Sequence, residues 1–125
     1  MSRKKIVVIG GGAAGFFGAI RAAEQNPAAE VLLLEKNRTV LNKVRISGGG
    51  RCNVTHACFD DKKLAKFYPR GGSFLKPLFK TFNPQSTIDW FQQKGVALKI
   101  ESDGRMFPTT DSSETIALCL ENEAI

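Results

Sequence analysis

The run Gly10-Gly11-Gly12-Ala13-Ala14-Gly15 constrains this chain more than any other feature, because of what stands on either side of it. Before it, Lys5-Ile6-Val7-Val8-Ile9 is a short β-branched run bounded by glycine, the pattern of a strand buried on both faces of a parallel sheet. After it, the residues from Ala13 to about Gln25 are mostly small or apolar and stop at Asn26-Pro27, which predicts a helix packed closely on that strand. Glu30-Val31-Leu32-Leu33-Leu34-Glu35 reads as a second buried strand. Residues 4 to 35 therefore make one β-α-β unit with a right-handed crossover.

The six residues fit G-x-G-x-x-G, a weak signal by itself in a chain with 12 glycines. The setting strengthens it: a strand precedes, a helix follows, and an acid, Glu35, stands about 20 residues beyond Gly15 at the end of the next strand. Each condition has its own physical cause. Gly10 permits the sharp strand-to-helix turn, Gly12 clears the side chain where a diphosphate must approach the backbone, and Gly15 lets the helix lie close to the strand. Amides at the helix start then face the phosphates, with the helix dipole adding about 0.3–1 kcal/mol per favourable charge. Glu35 suits the two hydroxyls of an adenosine ribose and would repel a 2′-phosphate, which argues against NADP at this site. A mere tight turn with a solvated strand-end acid would leave these coincidences without a common reason. Gly18 is an even case, since close packing explains a mid-helix glycine as well as ligand contact does.

Beyond Glu35 the pattern changes to a polar connection from Lys36 to Lys43, then Val44-Arg45-Ile46 and Ser47-Gly48-Gly49-Gly50, all read as loop. The middle third predicts short helices, one of them around Thr87 to Lys94, with Asn83-Pro84 as its capped start and Gly95 as its stop. Trp90 and Phe91 should face the core there. Ala97–Glu101 and Arg105–Phe107 form an expected hairpin whose Asp103-Gly104 suits a tight turn. Asp111 and Glu114 resemble a capping box opening a helix with Ile116, Cys119, Leu120 and Ala124 on one face. The fold class is thus α/β: a Rossmann-like β-α-β unit, then a glycine-rich loop, short helices and a β-hairpin. Two parallel strands cannot cover each other's faces, so the doubly wound domain is expected to be incomplete.

The second glycine cluster narrows the ligand. Lys43-Val44-Arg45-Ile46-Ser47-Gly48-Gly49-Gly50-Arg51-Cys52-Asn53-Val54-Thr55 offers amides, a hydroxyl, a guanidinium and a carboxamide within a few residues, as a loop wrapping an extended cofactor needs. A simple nicotinamide dehydrogenase has no use for it here, so FAD is favoured over NAD. At this point the chain resembles the BaiN/YhiN-like flavoproteins, which carry a GGGAAG-type fingerprint, a K-x-x-x-SGGGRCN segment and a later E-x-x-GR-x-FP segment. All three are present, as Gly10–Gly15, Lys43–Asn53 and Glu101–Pro108, and SGGGRCN is the most specific.

The resemblance covers essentially the whole chain and implies a FAD-dependent oxidoreductase of the two-domain glutathione-reductase type. Such an enzyme moves a hydride or electron pair between flavin and an organic substrate, with NAD(P)H open as a second partner. It further implies that Gly10, Gly12, Ala14 and Gly15 meet the pyrophosphate and that Glu35, with neighbouring Lys36, lies at the ribose. Lys43, Ser47, Gly48, Gly49, Gly50, Arg51, Cys52 and Asn53 would run along the cofactor toward its flavin end. Residues 1–125 would be the N-terminal part of the FAD-binding domain, inactive alone, with the rest of that domain and an inserted substrate domain outside this sequence. No catalytic acid or base is named by these residues. The alternative from another class is a non-catalytic dinucleotide-binding module.

Net charge is +6, but the basic residues are spread from Arg3 to Arg105 with no run of five, which a solvated surface explains. A small-molecule substrate is therefore expected, without nucleic acid or membrane, and an RNA-directed flavoprotein stands as a third reading on charge alone. Three cysteines without C-x-x-C spacing indicate neither a disulfide framework nor a metal site. With no apolar span long enough to cross a bilayer, a cytoplasmic protein is expected. Cys52 and Cys58 read as packing thiols, and His56, the single histidine, as a surface residue. Arg51 suits a phosphate or a flavin carbonyl, against a loop-holding salt bridge.

Overall fold

The computed structural model describes residues 3–125, which divide into two compact units: residues up to Cys52 together with Ser113–Ile125, and Asn53–Ser112. In the first unit, β1 (Lys5–Ile9) pairs in parallel with β2 (Glu30–Leu34), Ile6 opposite Val31 and Val8 opposite Leu33, and α1 (Ala13–Gln25) makes the crossover. These bounds are those the apolar runs and Asn26-Pro27 dictate. The helix buries Phe16, Ala19 and Ile20.

The expectation of strands buried on both faces fails in an informative way. Ile6, Val8, Val31 and Leu33 are half-buried, but the opposite face is bare: Val7 is 50% exposed, Ile9 77% and Leu34 52%. Full burial of each such side chain is worth about 1.5–3 kcal/mol. The sheet therefore leaves several kcal/mol of apolar burial unused, as an incomplete doubly wound domain does.

The stretch read as loop after Lys36 contains a short helix, α2 (Asn42–Ile46), followed by a 3-10 turn at Ser47–Gly50. Helix α2 is held by tertiary contacts that local propensity does not display. Leu41 is fully buried ahead of it and Val44 within it. Arg45 binds Glu114 (2.6 Å) and Glu121 (3.1 Å) of α6 (Ser113–Ala124) and also donates to Val40 O. Ser113 Oγ closes the clasp by donating to Arg45 O (2.8 Å). Helix α6 buries Ile116, Cys119 and Leu120 as its spacing predicts, and Ala117 besides, while Ala124 is exposed.

The second unit is built on a three-stranded antiparallel sheet in the order β3 (Thr55–His56), β5 (Arg105–Pro108), β4 (Leu98–Ile100). The hairpin appears as expected, with Ile100 opposite Met106. Its turn is the three residues between Glu101 and Arg105: Gly104 N–H bonds Glu101 O, Glu101 N–H bonds Arg105 O, and Gly104 takes φ +90°. Strand β3 was not legible in the sequence. It pairs Thr55 with Met106 and His56 with Arg105, which makes His56 a half-buried strand residue rather than a surface loop residue.

Between β3 and β4 run α3 (Asp61–Ala65), α4 (Gly72–Leu78) and α5 (Pro84–Gln93). Asn83 and Ser86 form the capping box of α5, and Trp90 and Phe91 are buried as expected. The helix ends in a Schellman motif, Val96 N–H to Phe91 O and Gly95 N–H to Gln92 O, with Gly95 at φ +83°.

Candidate dinucleotide site

The glycine fingerprint, the end of β2 and the start of α2 line one cavity of about 550 Å³ in the first unit. Gly10, Gly12, Ala14, Gly15, Glu35 and Lys43 of the sequence-predicted set all line it. The roles of the glycines are visible one at a time. Gly10 has φ +103°, which a side chain would strain. A Cβ on Gly12 would meet no atom within 4 Å, so its lack of a side chain leaves open room beside the helix start. A Cβ on Gly15 would stand 1.8 Å from Gly10 O, so the turn itself, more than the strand, demands this glycine. Gly18 faces open space, and close packing does not account for it.

The first helical bond of α1 runs from Phe16 N–H to Gly12 O (3.0 Å), so the amides of its first turn point into the cavity region without an intrahelical acceptor. Glu35 is bound more tightly than its strand-end position suggests. One carboxylate oxygen accepts from Gly11 N–H (2.9 Å) and the other from Asn37 N–H (2.7 Å). These two amides, Asn37 first and then Gly11, with the nearby charge of Lys36, hold its pKa below the ordinary carboxylate value. Each oxygen keeps a lone pair for a ligand hydroxyl. Glu35 is thus both a strut for the glycine turn and an available acceptor.

Other expected residues lie elsewhere. Lys36 is exposed and contributes through its charge on Glu35 rather than by lining the cavity. Ser47, Gly48, Gly49, Gly50, Arg51 and Cys52 form the turn that follows α2 and are not among the lining residues. Gly48 and Gly49 are left-handed (φ +57° and +66°), and so is Cys52 (φ +63°). Ser47 Oγ donates to Val44 O (2.8 Å) and Ser47 O accepts from Cys52 N–H (3.0 Å). Burial pushes the Cys52 thiol up, against a smaller opposing hydrogen bond from Ser47, so the thiol stays protonated and packs. Asn53 belongs to the second unit, where it lines a different cavity of about 350 Å³ with Thr55, Tyr68, Phe79 and Phe82.

Sequence reasoning missed Gly11, Asn37, Thr39, Leu41 and Asn42 as cavity residues. Gly11 was the readable one: a Cβ there would lie 3.0 Å from Val40 Cγ1 and 3.1 Å from Glu35 Cβ, so the middle glycine of Gly10-Gly11-Gly12 also has a packing reason. Nothing in the residue types marked the others.

Among the described residues no group of His, Cys, Asp and Glu is placed to hold a metal ion, and no helix is long and apolar enough to cross a membrane. The chain is 30% identical over 119 residues to the 3-dehydro-bile acid delta(4,6)-reductase of Clostridium scindens, covering 95% of this chain and 28% of that protein. It is 30% identical over 123 residues to the ribosomal RNA dihydrouridine synthase of Escherichia coli, covering 98% and 29%. The enzyme of that name from Haemophilus influenzae is 25% identical over 117 residues, covering 94% and 28%. The chain spans less than a third of the length of these relatives. Residues 4–125, which hold both glycine segments and the Glu101–Pro108 hairpin, match the model of the HI0933-like protein Rossmann domain, and the chain belongs to that family.

Proposed function

We propose that the chain is the FAD-binding segment of a flavin-dependent oxidoreductase, residues 1–125 forming part of one FAD-binding domain. One observation carries the reading: an open first helical turn, free room beside Gly12 and an acceptor carboxylate meet in a single cavity. These residues fit the ADP half of a dinucleotide. The first-turn amides would bind the diphosphate, Glu35 would accept from the ribose hydroxyls, and Lys43 adds a cation to the cavity lining. Ser47 to Cys52 would extend the binding surface toward the flavin. The flavin, when bound, supplies the hydride chemistry, and the protein binds and orients it.

The names of the relatives support a shared reaction type. A delta(4,6)-reductase and a dihydrouridine synthase each place hydrogen on a carbon–carbon double bond. We read this chain's enzyme as acting in that way, with NAD(P)H as the source of the hydride. The substrate divides into two readings. A small organic molecule follows the first relative, and RNA follows the other two, with the net charge of +6 favouring RNA.

The cofactor reading is tested by purifying the full-length protein and identifying what it releases on denaturation. Stoichiometric FAD is expected, and Glu35→Gln should weaken its retention about tenfold to a hundredfold, as loss of a charge-assisted hydrogen bond does. A valine at Gly12 should do the same by filling the open space. A colourless protein that takes up NAD at the same stoichiometry would overturn the reading.

A further inference from the structure

The segment from Phe59 to Phe82 in the second unit gathers two kinds of side chain that the dinucleotide cavity does not use. Lys62, Lys63, Lys66, Arg70, Lys76 and Lys80 are all exposed, against two carboxylates, Asp60 and Asp61. Asp60 is engaged as the N-cap of α3, accepting from the amides of Lys62 and Lys63. Lys66, Arg70, Lys76 and Lys80 form no salt bridge among the described residues. More than half of the chain's Phe, Tyr and Trp residues also fall in this segment, with Phe67 62% and Phe74 73% exposed.

The fold brings the two kinds together. Lys66, Tyr68, Phe74 and Lys76 line one open hollow of about 500 Å³. Lys63, Lys66 and Phe67 line a second of about 430 Å³, so Lys66 belongs to both. Each hollow therefore pairs an aromatic face with two ammonium groups. The core of a protein–protein interface is depleted in charge, and lysine in particular is scarce there. Single-stranded nucleic acid asks for the combination seen here: aromatic rings on which bases stack, and cations along the backbone between them.

We propose that this face binds single-stranded RNA, with bases received in the two hollows and Lys63, Lys66 and Lys76 on the phosphates. The proposal deepens the RNA reading of the substrate given above and rests on it. It is separable from the cofactor reading, because the residues lie outside the cavity that holds Gly10–Gly15 and Glu35.

The test uses the full-length protein, a fluorescent single-stranded RNA oligonucleotide and anisotropy titrations at several salt concentrations, with flavin absorbance and melting temperature recorded for each variant. Wild type should bind with a steep salt dependence. Replacing Lys63, Lys66 and Lys76 together by Gln should weaken binding at least about tenfold at low salt and flatten the slope of log K against log salt by about 2. Phe74→Ala should weaken binding about tenfold without altering the slope. Both variants should keep wild-type FAD and melting temperature. Salt-independent binding, or wild-type affinity in both variants, would overturn the proposal. So would a Phe74→Ala variant that melts several degrees lower yet binds RNA normally, the mark of a face covered by the rest of the chain or by another protein. A yellow protein indifferent to RNA sinks this proposal alone, whereas a colourless RNA binder sinks the cofactor reading alone.

Discussion

Glu35 carries two duties at once, and its protonation behaviour follows from the first. Because Asn37 and Gly11 amides already bind both of its oxygens, its charged form is favoured in the folded chain and its pKa lies below the ordinary 4.5. A depressed folded pKa means that its contribution is fully present above the unfolded value and is lost as pH falls through the lower, folded one. FAD retention should accordingly be level from neutral pH down to about the ordinary carboxylate value, and decline only in more acid solution. Measured FAD release against pH checks this. Loss that begins well above that value in wild type, and is absent in Glu35→Gln, would contradict it. The same geometry explains why glutamine is a poor substitute. Its –NH2 would face one of two backbone donors that now meet an acceptor, so the variant should loosen the glycine turn as well as the ribose contact.

At the scale of elements, the turn between β4 and β5 is set by one residue from another strand. A Cβ on Gly104 would stand 2.7 Å from His56 Nε2, and φ +90° is unfavourable for any side chain. Gly104→Ala should cost about 1–3 kcal/mol, since both penalties apply. Adding His56→Ala should return only the steric part, so a urea-denaturation double-mutant cycle should show coupling while leaving a residual penalty. Full additivity would mean that the ring moves aside without cost. This contact also shows what the sequence could and could not disclose. Asp103-Gly104 announced a turn, and the apolar runs announced β1, α1, β2, α5 and the hairpin, because those signals are local. Strand β3 is two residues long and owes its existence to pairing with β5, while α2 depends on Arg45 reaching Glu114 and Glu121 far along the chain. Such elements have no local period to read. Much of the cavity was legible too: Gly10 and Gly15 are required by the geometry of the turn, and Gly12 and Glu35 stand at the spacing that the strand-turn-helix fingerprint sets, whereas Asn37 and Leu41 enter the cavity through the path of the chain.

For the whole molecule, the decisive feature is the uncovered sheet. Parallel strands are stable when both faces are packed, yet Val7, Ile9, Leu32 and Leu34 form a contiguous apolar face that neither α1 nor α6 protects. Exposed faces of this kind either bind something or promote association. The relatives extend well beyond the span they share with this chain, and in a longer protein of that kind further residues are the expected cover. Opposite signs are then expected for one double substitution. Val7 and Leu32 are register partners on the bare face, and Val7 does not line the dinucleotide cavity. Replacing both by Thr should make the isolated 125-residue chain more soluble and lower its binding of a hydrophobic dye, because it removes exposed apolar surface at little cost in packing. In the full-length protein the same change should lower stability by about 1–3 kcal/mol per site, as buried polar substitutions do. Paired measurements of dye binding and thermal melting decide the matter. If the full-length protein tolerates the threonines as readily as the isolated chain, the face is solvent-exposed there too, and its cover must come from another molecule.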